Sequence, residues 1–170
     1  MPMSENPASS EPQTTTFNIL YVCTGNTCRS PLAESLTRAG LARRGWPHVE
    51  VVSAGVAARE GEPASALAIA VGEARGLPVA GHRSRALTSA LIDWADIVLA
   101  MSPSHLDTID SLGGSGKASL LGDFAAGRVD AGIAVADPFG GELEDYRRTM
   151  HELERLVDRV LERLAPIIQP

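Results

Sequence analysis

The stretch Phe17-Asn18-Ile19-Leu20-Tyr21-Val22-Cys23-Thr24-Gly25-Asn26-Thr27-Cys28-Arg29-Ser30-Pro31 decides how this chain folds. Its first six residues form an apolar run that reads as a buried strand. A helical pattern begins near Pro31, where the missing proline N–H costs nothing because it would be unpaired in the first turn anyway. Between strand and helix lie Gly25 and Asn26, the residue types that most easily take positive φ. A loop wrapped around a tetrahedral anion turns several backbone N–H groups inward, and the helix N-terminus behind it favours the same charge. Arg29 adds a rigid fork of donors able to hold two oxygens. A field of that kind favours a thiolate over a thiol. Cys23 therefore reads as a nucleophile in an oxyanion cradle built from Thr24, Gly25, Asn26, Thr27, Cys28, Arg29 and Ser30. Ser30 can donate a hydrogen bond to the sulfur.

Outward from the cradle, strands and helices alternate. The pattern predicts a helix over Arg29–Arg44, ended by Gly45-Trp46-Pro47, and a strand over Val49–Val52 followed by Ser53-Ala54-Gly55. Further helices are expected over Pro63–Arg75 and Ser89–Trp94, with Thr88 as N-cap of the second. Asp96–Met101 reads as a strand buried on both faces, the mark of a parallel sheet. Ser102-Pro103 starts a helix reaching Ile109 or Asp110, and Ala118–Leu121 is a weak fourth strand. Gly122–Gly141 has no period; a loop of this length inside a compact domain is usually functional or disordered. From Glu142 to Leu164, apolar residues recur at steps of three and four and predict a long helix packed on the sheet. This order implies an α/β doubly wound sheet, whose ligands bind beyond the carboxyl ends of the strands. Residues 17–166 are expected to form a single domain. Residues 1–16, nearly devoid of apolar side chains, read as a disordered tail.

The 170 residues carry a net charge of −6, which argues against a nucleic-acid binder held by general electrostatics. The cradle region is locally basic: between Phe17 and Arg44, four arginines against Glu34 leave +3. Two cysteines make neither a disulfide framework nor a good zinc site, so no metal and no cofactor are expected. No apolar run is long enough to span a membrane, and no apolar leader precedes the tail. A cytoplasmic monomer without membrane partners is expected. His48, His105 and His151 show no ligand spacing and are assigned no chemistry, while Trp46 and Trp94 read as packing residues.

Cys-x5-Arg-Ser, written here as CTGNTCRSP, resembles the low-molecular-weight protein-tyrosine-phosphatase family. The resemblance implies a four-stranded parallel sheet in the order 2-1-3-4 with helices on both faces. It implies that Cys23 attacks phosphorus to form a phosphocysteine, that Arg29 binds the phosphoryl oxygens, and that Asp137, in its Asp-Pro pair, protonates the leaving group and then serves as base toward water. Asn26, Ser53 and His82 match a network that braces the cradle. Cys28 has two compatible readings: packing beneath the loop, or trapping an oxidised Cys23 as a disulfide.

Tyrosine-specific members usually carry an aliphatic residue at the place of Thr27 and two adjacent aromatics after Asp-Pro. Here Thr27 is followed far along the chain by Asp137-Pro138-Phe139-Gly140-Gly141, and both features resemble the bacterial protein-arginine-phosphatase branch. A polar side chain at Thr27 suits a planar guanidinium, and Phe139 supplies an apolar or cation–π wall. Phosphoarginine in proteins is thus the expected substrate, with phosphotyrosine the alternative. An arsenate reductase would need cysteines after Cys28, and there are none. A non-catalytic phosphate binder would be expected to lack the nucleophile or the acid.

Overall fold

Side chains alternate along the first strand and divide between two cores. Ile19, Tyr21 and Cys23 enter one, Leu20 and Val22 the other, and all five are buried. A strand buried on both faces needs helices above and below it. The computed structural model, which describes residues 16–168, makes it β1 (Phe17–Cys23), an inner strand of a parallel sheet. The others are β2 (Val49–Gly55), β3 (Ile97–Ala100) and β4 (Ala118–Leu120). Their order is β2-β1-β3-β4, with Cys23 opposite Gly55 and Val22 opposite both Ala54 and Ala100.

The helices are α1 (Arg29–Arg44), α2 (Ala66–Glu73), α3 (Ser89–Trp94), α4 (Pro103–Ser111), α5 (Leu121–Ala126) and α6 (Leu143–Ile168). α1 and α6, flanked by α2 and α5, cover the face of Ile19 and Tyr21. α3 and α4 supply Ile92 and Ile109 to the opposite face. On α6 the stripe Tyr146, Met150, Leu153, Val157, Val160 and Leu164 is buried; each such side chain contributes about 1.5–3 kcal/mol when removed from water. α1 ends where Gly45 turns left-handed at φ 68°, with Arg43 and Arg44 facing the negative end of the helix dipole.

Several boundaries differ from the sequence expectation. β2 runs on to Gly55 because Ser53, Ala54 and Gly55 pair with Tyr21, Val22 and Cys23. α2 begins only after Ser65, whose hydroxyl accepts the Ala68 N–H, and so starts three residues beyond Pro63. α6 continues through Pro166 to Ile168. α5 falls in the segment without a period. The proposed tail lies outside the described residues except for Thr16. Trp46 and Trp94 stand just before β2 and β3, at the sheet edge opposite the cradle; Trp46 is buried and Trp94 half-buried.

Candidate active site

The cradle leaves the carboxyl end of β1 and closes on the first residue of α1. Asn26 is its pivot, held left-handed at φ 57°; Gly25, the other candidate for positive φ, does not need it. The Asn26 amide uses both its donors and its oxygen. Its Oδ1 accepts the Arg85 N–H at 2.9 Å, and Nδ2 donates to Ser30 Oγ at 2.8 Å and to Ser53 Oγ at 2.9 Å. Both hydroxyl oxygens therefore accept, and their own hydrogens are free to point onward. Ser30 Oγ lies 2.8 Å from Cys23 Sγ, to which its hydrogen can be donated, and Ser53 donates to Glu34 Oε1 at 2.6 Å. The other Glu34 oxygen is 2.7 Å from Nη2 of Arg38. His82 Nε2 lies 2.7 Å from the Asn26 carbonyl, to which only an N–H can donate. The three residues matched to a bracing network thus meet around Asn26. Gly55 makes that approach possible: a Cβ there would sit 2.5 Å from the Thr24 oxygen and 2.9 Å from the Asn26 nitrogen.

Arg29 is buried, and its guanidinium joins three elements. Nη1 donates to Ser102 Oγ at 3.0 Å, at the head of α4, and to the Val135 carbonyl at 2.9 Å. Nη2 lies 3.5 Å from Asp137 Oδ2 and 3.5 Å from Thr24 Oγ1. The buried end of the guanidinium is thereby fixed, and the other end meets the groups at the cavity.

The loop that brings Asp137 to this point is shaped by the carboxylate of Asp123, earlier in the chain. Buried Asp123 accepts the N–H groups of Ala131, Gly132 and Ile133 at 3.1, 3.2 and 2.8 Å. Val135 is buried and donates to the Met101 carbonyl at 2.8 Å, at the end of β3. Asp137 then emerges half-exposed, with Oδ1 accepting the Phe139 N–H at 3.0 Å. Phe139 is 72% exposed, which leaves its ring available to a guest. A cavity of about 150 Å³ is lined by Cys23, Thr27 and Arg29 from the cradle and by Asp137 and Phe139 from the loop. It is large enough for a phosphoryl group and the end of its side chain. An in-line transfer to Cys23, with charge met by Arg29 and a proton supplied by Asp137, suits this arrangement.

Cys23 and Cys28 are both free and buried. Cys28 Sγ lies 3.4 Å from Ser65 Oγ and 3.3 Å from Tyr146 Oη. Burial first, and then the bond to Cys28, push the Tyr146 hydroxyl up to about 12, so it stays protonated at neutral pH. Tyr146 reads in the sequence only as one member of the α6 apolar stripe. The second residue missed is His105, buried on α4 with Nε2 2.9 Å from Thr24 Oγ1 and Nδ1 3.1 Å from the Ser102 nitrogen. A position two residues past a helix-starting proline was the available signal, because that is where side chains reach back to a helix's first N–H.

The description "Low molecular weight phosphotyrosine protein phosphatase" matches residues 18–167. The chain is 47% identical over 150 residues to a protein-arginine-phosphatase of Geobacillus stearothermophilus, covering 87% of this chain and 96% of that one. It is 34% identical to the probable low molecular weight protein-tyrosine-phosphatase EpsP of Ralstonia nicotianae, covering 88% and 97%. Among solved structures it superposes, with a TM-score of 0.81 and 37% identity, on the YwlE arginine phosphatase in a cysteine-to-serine mutant form with a phosphorylated active-site serine. That match covers 87% of this chain and 95% of the other.

Proposed function

The chain belongs to the low molecular weight phosphotyrosine protein phosphatase family, and we propose that it removes phosphate from phosphoarginine side chains of proteins through a phosphocysteine on Cys23. The observation that carries the substrate assignment is the shared cavity, in which Thr27, Asp137 and Phe139 surround the space in front of Cys23 and Arg29. Similarity to the Geobacillus arginine phosphatase supports the same reading.

In this reading the Cys23 sulfur attacks phosphorus while the bond to the guanidinium nitrogen breaks. Arg29, held from behind by Ser102 and Val135, turns Nη2 from Asp137 to the phosphoryl oxygens, where charge builds up. The backbone N–H groups of residues 24–30 join it around the phosphate. Asp137, released from its ion pair with Arg29 and carrying a proton taken up from solvent, hydrogen-bonds the substrate guanidinium and gives that proton to the departing nitrogen. Water then attacks phosphorus and Asp137 recovers a proton from it. The S–P bond breaks, inorganic phosphate leaves, and the thiolate, steadied by the Ser30 hydrogen, is regenerated. Asn26, Ser53 and His82 hold the loop in shape throughout. Thr27 and Phe139 set selectivity, Thr27 by offering a hydroxyl near the planar guanidinium and Phe139 by lying against it. When a peroxide converts the Cys23 thiolate to a sulfenic acid, the Cys28 sulfur, turning from Ser65 and Tyr146, attacks it, closing a disulfide and releasing water.

The protein acts on phosphorylated proteins as a cytoplasmic monomer, without nucleic-acid or membrane partners. All the proposed site groups come from one chain, and no helix among the described residues is long and apolar enough to cross a membrane. The family description and the relative EpsP favour phosphotyrosine as the competing substrate. Phosphate release from paired phosphoarginine and phosphotyrosine peptides, by wild type and Thr27→Ile, separates the two. We expect wild type to favour phosphoarginine by at least about tenfold in kcat/KM, and Thr27→Ile to narrow or reverse that ratio. A wild-type preference for phosphotyrosine overturns the substrate assignment, and full activity in Cys23→Ser overturns the mechanism.

A further inference from the structure

His105 stands outside the reaction just described, yet it is buried against it. Its Nδ1 faces the Ser102 N–H at 3.1 Å, and a backbone N–H can only donate. Nδ1 is therefore the acceptor, and in the neutral ring the hydrogen sits on Nε2. Nε2 lies 2.9 Å from Thr24 Oγ1, so Thr24 accepts there. Thr24 Oγ1 also faces Arg29 Nη2 at 3.5 Å, another group that can only donate. With its oxygen receiving on that side, the Thr24 hydroxyl has its own hydrogen free, and Thr24 lines the cavity. On the other side, Ser102 Oγ receives Arg29 Nη1 at 3.0 Å. One imidazole thus touches both residues whose hydroxyls bracket the Arg29 guanidinium.

We propose that His105 is a positioning residue for phosphoryl transfer: by donating to Thr24 and accepting from Ser102 it holds both flanks of Arg29 and turns the Thr24 hydroxyl hydrogen toward the transferring phosphoryl group. The proposal rests on the reading of Arg29 as the phosphoryl-binding group. Burial and then the facing Arg29 charge lower the His105 pKa to about 4, against an opposite pull from Asp137, which keeps the ring neutral and its two roles fixed around neutral pH. Thr24 supplies one more donor to charge that grows in the transition state.

The experiment is a double-mutant cycle of His105→Leu and Thr24→Val on phosphoarginine peptide turnover, with His105→Gln as the conservative variant. Glutamine can accept the Ser102 N–H with one amide atom and donate to Thr24 with the other. Each single change in the cycle is expected to lower kcat at least about tenfold while KM moves less than about threefold. The double variant is expected to fall no more than about threefold below the worse single one. His105→Gln is expected to recover most of the loss. A His105→Leu enzyme that is folded and turns over like wild type overturns the proposal, as do losses that simply multiply. Nitrogen NMR of the wild-type histidines provides a test that needs no variant to fold: His105 must be the Nε2–H tautomer, and an Nδ1–H tautomer overturns the proposal. If wild type releases no phosphate at all, the phosphatase reading fails instead, and the tautomer measurement still judges the hydrogen-bond clamp.

Discussion

The carbonyl of Val135 accepts a 2.9 Å hydrogen bond from Nη1 of Arg29, so the guanidinium of the cradle is fastened to the loop that carries Asp137. The proposed acid and the proposed anion-binding group come from residues more than a hundred positions apart, and this bond sets their spacing. Loosening the loop should therefore be felt at the cradle.

Asp123 tests that link from a distance. Asp123→Ala removes the acceptor of three loop N–H groups. Water reaches some of them, so the expected cost is about 1–3 kcal/mol by urea unfolding, accompanied by a several-fold drop in kcat. Unchanged stability and turnover would show that the loop keeps its shape without this carboxylate.

Asp137→Asn should separate substrates by their leaving groups. Turnover of phosphoarginine peptide is expected to fall by about 10²–10⁴-fold, the range for a lost general acid. An activated aryl phosphate, whose leaving group needs no proton, should lose much less. Equal losses on both substrates would assign Asp137 to binding instead of proton transfer.

At Asn26, backbone strain and hydrogen bonding can be pulled apart. Asn26→Gly keeps access to φ 57° but loses the amide; Asn26→Ala loses the amide and adds left-handed strain of about 1–2 kcal/mol. The alanine variant should be the less stable by that amount in thermal or urea unfolding. Both should be slow enzymes, because Ser30 loses the donor that orients it. Equal stability of the two would mean the loop has changed conformation.

His105 predicts a pH dependence of stability. Its folded pKa, about 4, lies below the free value of 6.5, so the unfolded chain takes up the proton first as the solution is acidified. The contribution is complete above pH 6.5 and is lost as pH falls toward 4. Across that window wild type should lose stability relative to His105→Gln, with a slope of at most about 1.4 kcal/mol per pH unit. Parallel curves for the two proteins would show that the ring charges freely in the fold.

What the sequence made legible was whatever is local. Cys23–Pro31 could be read because strand, loop and helix start follow one another without a break, and α6 because its apolar residues recur from Tyr146 to Leu164, over about five turns. α5 has six residues, too few to show a period, and Asp123 within it gains its role only when the chain returns ten residues later. The contact of His105 with Thr24 spans 81 positions and exists because β1 and β3 lie side by side. Of the glycines, Gly25 suggests a positive φ that it does not adopt. Gly55, the one whose missing Cβ the cradle requires, lies beyond the expected strand Val49–Val52 with no local pattern to mark it.

The placement of the two tryptophans decides what light can report about this molecule. Trp46 and Trp94 precede β2 and β3, so both indoles sit at the pole away from the cradle. Their emission should follow denaturation and remain silent when inorganic phosphate or vanadate fills the site. Phe139, exposed at the cavity mouth, is the position from which an indole would see the guest arrive. Titrating Phe139→Trp with vanadate, beside the parent chain, should convert a dark binding event into a visible one; an equally large signal from the parent would contradict that geometry.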